Sequence, residues 1–140
     1  MTASKYNSEG YYDPTTYEAL SRIEREERFA RYRPLVYICS PYSHGCINTN
    51  IENARKYSRF AVDRHYLPIT PHIYFTQFMD DTVFEERETA IFMNLVLMSK
   101  CVELWVFGDT ISAGMNSEIE RAERKHMKIR YFTEELEEKE

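Results

Sequence analysis

Basic residues are outnumbered in this chain: 18 Lys and Arg stand against 23 Asp and Glu, for a formal net charge of −5 and a pI of about 5.5. A chain of that balance lacks the basic face that grips a nucleic-acid backbone, so no nucleic acid polymer is expected as a partner. Small molecules or proteins are expected instead. Long apolar runs are missing as well: the opening "MTASKYNSEGYYDPTTYEAL" is polar, and nothing approaches the roughly 18 residues of a membrane span. The expectation is a cytoplasmic chain with neither signal peptide nor membrane segment. Cysteine is scarce, and Cys39, Cys46 and Cys101 form an odd set without CxxC spacing. That excludes a disulfide framework and a zinc ribbon, leaving reduced thiols. His44 lies near Cys46 without further ligands at suitable spacing, so no metal is expected there, and no cofactor. Neither GxxxxGK(S/T) nor GxGxxG occurs, which removes the P-loop and the dinucleotide fingerprint. Internal repeats and low-complexity tracts are absent too.

What is present suits one domain, since 140 residues can bury a single apolar core. Residues 1–33 form a polar arm with several tyrosines and the charged run "SRIEREERFARYR". The spacing predicts a solvated helix there that leans Leu20, Ile23 and Phe29 on the body of the protein; a partner-binding arm is the alternative. From Pro34 the rhythm changes. "LVYICS" reads as a buried strand, "NIENARKYSRFAVDRH" as a helix with Ile51, Ala54, Ser58, Ala61 and Val62 on one side, and "YLPITPH" as a second strand. "FEERETAIFMNLVLMSK" is a second helix, "VELWVFG" a third strand, "NSEIERAERKH" a third helix and "KIRYF" a fourth strand. Strands alternating with helices imply right-handed crossovers and a parallel sheet of four to five strands covered on both faces. The fold class is therefore a small α/β three-layer sandwich of the flavodoxin-like or Rossmann-like kind over residues 34–133, followed by an acidic, frayed tail over 134–140. In the second of these helices Ala90 to Met98 is apolar nearly all round apart from Asn94, so a second copy of the chain or the amino-terminal helix should cover its outer side.

In open parallel sheets ligands bind beyond the carboxyl ends of the strands, where the strand order reverses. With the order 2-1-3-4, the loops "SPYSHGC" and "GDTISAGMNSE" flank that crevice. The first offers Ser40 and Ser43 hydroxyls, Tyr42 for stacking, and Gly45 for close backbone approach, which suits a phosphate or sugar; a plain connecting turn is the alternative. In the second, Ser117 and Glu120 fit the capping box S-x-x-E, placing Glu118 in the first helical turn. There it is either an ordinary dipole-favoured carboxylate or an ionised nucleophile aimed at the crevice. Asp109 and His72 could point into the same cavity, although Asp109 also suits an Asx turn and His72 a hydrogen-bonded place at the sheet edge.

"VYICSPYS", "LPITPHIYFTQFMDD", "EERETAIFMNLVLMSKCVELWVFGD" and "ISAGMNSEIERA" together resemble the uncharacterised small proteins of the nucleoside 2-deoxyribosyltransferase-like superfamily, over Pro34 to Phe132. The arm "KYNSEGYYDPTTYEAL" resembles the leader of such proteins from bacterial mobile elements. The resemblance implies a flavodoxin-like sheet, homo-oligomers, and chemistry on the N-glycosidic bond of a nucleoside or nucleoside monophosphate. In a G-x-x-x-E-(I/L) setting a glutamate attacks the anomeric carbon, and "GMNSEI", running from Gly114 and Met115, puts Glu118 in that role. By the same analogy the loop Ser40, Pro41, Tyr42, Ser43 to Gly45, together with Ser117, would hold the sugar or its 5′-phosphate, and Tyr37, Tyr42 or Phe75 would stack on the base. Asn94 aligns with an aspartate that manages the proton of the leaving base. Asn94 cannot titrate, so Asp109 or His72 substitutes, or the leaving group needs less help, or the pocket only binds. Three readings follow: a nucleotide N-glycosidase or (deoxy)ribosyltransferase, a non-catalytic nucleotide sensor, and a protein-interaction module.

Overall fold

The computed structural model describes residues 14–140, with side chains from Tyr17 onward. The leader before Pro14 lies outside the described residues. The chain divides into two units, residues 1–33 and 34–140. In the first, helix α1 (Pro14–Ala30) opens on a proline, whose fixed φ suits a first helical turn, and extends the charged run by two turns toward the amino terminus.

The second unit is a four-stranded parallel sheet in the order β2-β1-β3-β4, the usual order taken for such a sheet. Its strands are β1 (Leu35–Cys39), β2 (Leu67–Ile69), β3 (Glu103–Phe107) and β4 (Lys128–Phe132). Between them run α2 (Ile47–Asp63), α4 (Phe84–Ser99) and α5 (Ala113–Arg124). A short helix α3 (Pro71–Tyr74) and a 3-10 turn over Phe75–Gln77 follow β2, in a stretch the sequence pattern leaves without structure. Strand β3 is paired on both edges and buried at all five positions, which explains its unbroken apolar run. Among the described residues no helix is long and apolar enough to cross a membrane.

Side chains alternate along the strands, and the two faces have different cores. Val36 and Ile38 of β1, with Trp105, Phe107 and Phe132, pack beneath α2 through Tyr57 and Ala61. The rings stack closely: Tyr57 lies 4.1 Å from Phe107 at 10°, and Phe107 lies 5.0 Å from Phe132 at 17°. The expected stripe on α2 named Ala54 and Ala61 correctly and missed Tyr57, whose ring fills this face. The buried Glu103 carboxylate accepts from Tyr66 Oη at 2.7 Å and Trp105 Nε1 at 3.1 Å, with Arg130 Nη1 3.8 Å away. On the opposite face Tyr37 and Cys39 pack with Leu104, Val106, Met98, Met115, Ile119 and Ala122.

Two expectations are overturned. The acidic tail is not frayed: Arg130 grips Glu138 through two 2.8 Å bonds, Lys139 N donates to Tyr131 O at 2.8 Å, and Leu136 packs against the aromatic face. The bidentate guanidinium outweighs the mutual repulsion of the tail's carboxylates. Helix α5 starts at Ala113, five residues earlier than the capping-box pattern suggests. Ser112 is the cap, accepting from Met115 N at 3.3 Å, while the Ser117 hydroxyl donates back to Ala113 O inside the helix. Glu118 therefore sits in the second turn, and its state cannot be ascribed to the dipole of the first.

Phe107 stacks on both sides at the centre of the aromatic face. Phe107→Ala should lower unfolding stability by about 3–5 kcal/mol in urea titrations; a loss under about 1 kcal/mol would mean that the face collapses around the gap.

Candidate functional site

The crevice lies where order and sequence place it, over the carboxyl ends of β1 and β3. It is a cavity of about 600 Å³. Three walls build it. The loop after β1 contributes Ser40, Tyr42, Ser43 and His44. That loop is tied down by Asn50, whose Nδ2 donates to the carbonyls of Tyr42 (2.6 Å) and His44 (2.8 Å). Helix α5 presents Gly114, Ser117, Glu118, Arg121 and Arg124, which recur every three or four residues and so share one side. Helix α4 does the same with Arg87, Ile91, Asn94 and Leu95.

Glu118 is the chemical centre of this cavity. Strand β1 sends Tyr37 and Cys39, two residues apart, to the same face, and both reach the carboxyl. The Cys39 thiol donates to Oε1 across 3.7 Å, a long sulfur contact, and the Tyr37 hydroxyl hydrogen-bonds to the same carboxyl. Burial pushes Glu118 up from 4.5 to about 7, and the two donors pull it back only in part. This reverses the expectation that the helix dipole keeps it ionised. Burial first, and the carboxyl second, drive the Tyr37 hydroxyl and Cys39 thiol well above their ordinary values, so both remain protonated donors.

His72 lies on α3, with Nε2 3.0 Å from Ser40 Oγ and its ring edge-on to Tyr42. Burial pushes its imidazole down to about 4, so it is neutral at physiological pH and can share a proton with Ser40 without carrying charge. Asn94 lines the cavity with Oδ1 buried and unpartnered.

Of the residues the sequence singles out, the structure gathers Tyr37, Ser40, Tyr42, Ser43, His72, Asn94, Gly114, Met115, Ser117 and Glu118 around one space. Four others are not among its lining residues. Asp109 turns to solvent and pairs with Lys139 Nζ at 2.9 Å, because the folded-back tail offers it a cation. Phe75 packs against Tyr74 and Phe78 instead. Gly45 takes a positive φ of 84° in an open turn, and Pro41 only leads into it. Tyr37, expected to stack on a base, is fully buried and committed to Glu118. The sequence reading passed over Asp81, Arg87, Ser112, Arg121 and Arg124. The arginines were legible: Arg121 and Arg124 follow Glu118 by three and six residues, and Arg87 precedes Asn94 by seven. Among the described residues no group of three or more His, Cys, Asp or Glu is placed to hold a metal ion, and all three cysteines are free thiols.

Residues 34–132 match a family described as a domain of unknown function, DUF7768. No curated protein matches the chain. Among solved structures it is similar to the 2-deoxyribosyltransferase of the psychrotolerant bacterium Bacillus psychrosaccharolyticus, with a TM-score of 0.59 and 15% identity, covering 71% of this chain and 72% of that one. That enzyme is described as a biocatalyst for nucleoside synthesis. The likeness shows a shared fold.

Glu118 and His72 contribute to stability with opposite dependence on pH. Glu118 binds its proton more tightly folded than unfolded, so its contribution is complete below 4.5 and is lost as pH rises toward about 7. His72 resists protonation when folded, so its contribution is complete above 6.5 and is lost as pH falls toward about 4. Glu118→Gln removes the first and keeps the second. Compared with this variant in urea titrations, the wild type should lose up to about 3 kcal/mol of stability from pH 4.5 to about pH 7, less where solvent screens the site. A difference that does not vary with pH would return Glu118 to an ordinary carboxyl.

Proposed function

The chain belongs to the DUF7768 family, and from that premise we propose that it breaks the N-glycosidic bond of a nucleoside or nucleotide with Glu118 as the nucleophile. One observation carries the reading: a buried carboxyl, held by Tyr37 and Cys39, forms part of the wall of a 600 Å³ cavity at the sheet's reversal point. The fold shared with a 2-deoxyribosyltransferase supports it.

The chemistry is a double displacement. The ionised Glu118 oxygen bonds to C1′ of the sugar as the C1′–N bond breaks, the bonding electron pair leaving with the base, which takes up a proton from water. Water or a second base then attacks C1′, and the carboxylate departs. Both steps are redox-neutral and pass through oxocarbenium-like transition states that a nearby carboxylate stabilises. The Tyr37 and Cys39 donors fix the carboxyl's orientation and favour its ionised form. Ser40, Tyr42 and Ser43 face the sugar and base, with neutral His72 orienting the Ser40 hydroxyl. Phe92 and Val96 are exposed on α4, and we assign this apolar side to contact between copies of the chain.

A second reading, a nucleotide sensor without turnover, is favoured by Asn94, which lines the cavity where a titratable acid would assist the leaving base. Incubation with a panel of ribo- and deoxyribonucleosides and their 5′-monophosphates, followed by chromatography for free base, separates the two. Base release should rise with pH through the titration of Glu118 and level off above about 7, because only the carboxylate attacks. Glu118→Gln should lower it at least about 10³-fold while sparing binding. Release that survives in this variant overturns the assignment of the nucleophile. A rise in melting temperature with nucleotide but no free base leaves the sensor.

A further inference from the structure

Three arginines on two helices line the cavity: Arg87 from α4, and Arg121 and Arg124 from α5. Among the described residues none of them is in an ion pair. Arg121 Nε is shut from solvent and has no hydrogen-bond partner. A buried guanidinium N–H without an acceptor is costly, and its natural complement is an anion brought by a ligand. Glu118 does not fill that place. Its partners are Tyr37 and Cys39, and no arginine is among the groups that shift its carboxyl. Against the three arginines the cavity sets only Asp81 and Glu118, which leaves it cationic inside a chain of net charge −5.

The spacing fits the ends of one molecule. Arg121 follows Glu118 by three residues and Arg124 by six, which is about 4.5 and 9 Å along the helix axis. A pentose whose C1′ meets Glu118 carries its 5′ substituent a comparable distance away. Guanidinium forks lining one cavity suit a phosphoryl group, with three equivalent oxygens and close to two charges, better than a single carboxylate.

We propose that Arg121, with Arg87 and Arg124, binds the 5′-phosphate, so that nucleoside 5′-monophosphates and not free nucleosides are the substrates. The orientation of the ligand rests on the N-glycosidic reading above, whereas the anion site itself rests on the arginines. The phosphate thereby moves from the loop at residues 40–45, where the resemblance puts it, to the opposite wall of the cavity.

The test is calorimetric titration of the Glu118→Gln chain, which cannot turn over, with the four deoxyribonucleosides, their 5′-monophosphates, deoxyribose 5-phosphate and inorganic phosphate. At least one monophosphate should bind about tenfold or more tighter than its nucleoside, and Arg121→Gln should weaken that monophosphate about 10- to 100-fold while moving the nucleoside less than about twofold. Arg87→Gln, on the other helix, should reduce the same preference, and it keeps the test decisive should the Arg121 variant melt early. A preference that is absent, or that survives both substitutions, overturns the anion site. Inorganic phosphate bound as tightly as the monophosphate overturns the substrate class. Arginine-dependent binding of monophosphates without base release by the wild type sinks the glycosidic chemistry and keeps the site. Equal base release from nucleosides and monophosphates does the reverse.

Discussion

The site depends on one carboxyl group taken out of water. Enclosing Glu118 between β1 and α5 disfavours its charged form, and the Tyr37 hydroxyl and Cys39 thiol recover part of that cost. The result is a carboxyl raised to about 7, which is the range the proposed attack on a sugar carbon calls for. Had α5 placed it in the first turn, the helix dipole and solvent would have held it as an inert surface carboxylate. Depth in the helix, two turns from Ser112, is what separates the two outcomes.

That depth follows from the central strands. Alternation along β1 commits Val36 and Ile38 to one face and Tyr37 and Cys39 to the other, so a single strand serves a rigid aromatic core and a reactive cavity at once. The stacked rings of Tyr57, Phe107 and Phe132 have one buried carboxylate at their margin, Glu103, which is partnered by Tyr66 and Trp105. Gly108, at a φ of +97° directly after β3, lets the chain leave the sheet sharply and open the loop that precedes α5.

The sheet was legible because its signals are local and repeated: apolar strands and their alternation with helices suffice to infer a parallel sheet, and the usual order of such sheets then places the crevice. The start of α5 was not, since Ser112 and Ser117 both suit a cap and only the backbone path out of Gly108 decides between them. Nor was the tail, whose order rests on Arg130, Gly108 and Tyr131, all distant in pattern from a run of glutamates. Asp109 illustrates the same limit. Its place at a strand tip is readable, but its pairing with Lys139 depends on a fold-back that no periodicity announces. Phe75 fell away because the segment after β2 coils into α3 and a 3-10 turn, giving its ring aromatic neighbours of its own.

The identity of Asn94 bears on how much the cavity must achieve. An amide there can accept or donate a hydrogen bond to a base edge, yet it cannot deliver a proton, and neutral His72 has no spare positive charge to lend. On the proposed glycosidic reading, departure of the base would be driven from the sugar side, by the attacking carboxylate and by whatever holds the sugar in line. In the proposed reaction the arginines on the α5 side of the cavity would answer that requirement, because energy from a remote anionic group can be used to press C1′ onto Glu118 and so lower the barrier that a missing acid raises. An overall acidic chain with a cationic interior also repels most anions until one enters the cleft, where low-dielectric walls strengthen the attraction.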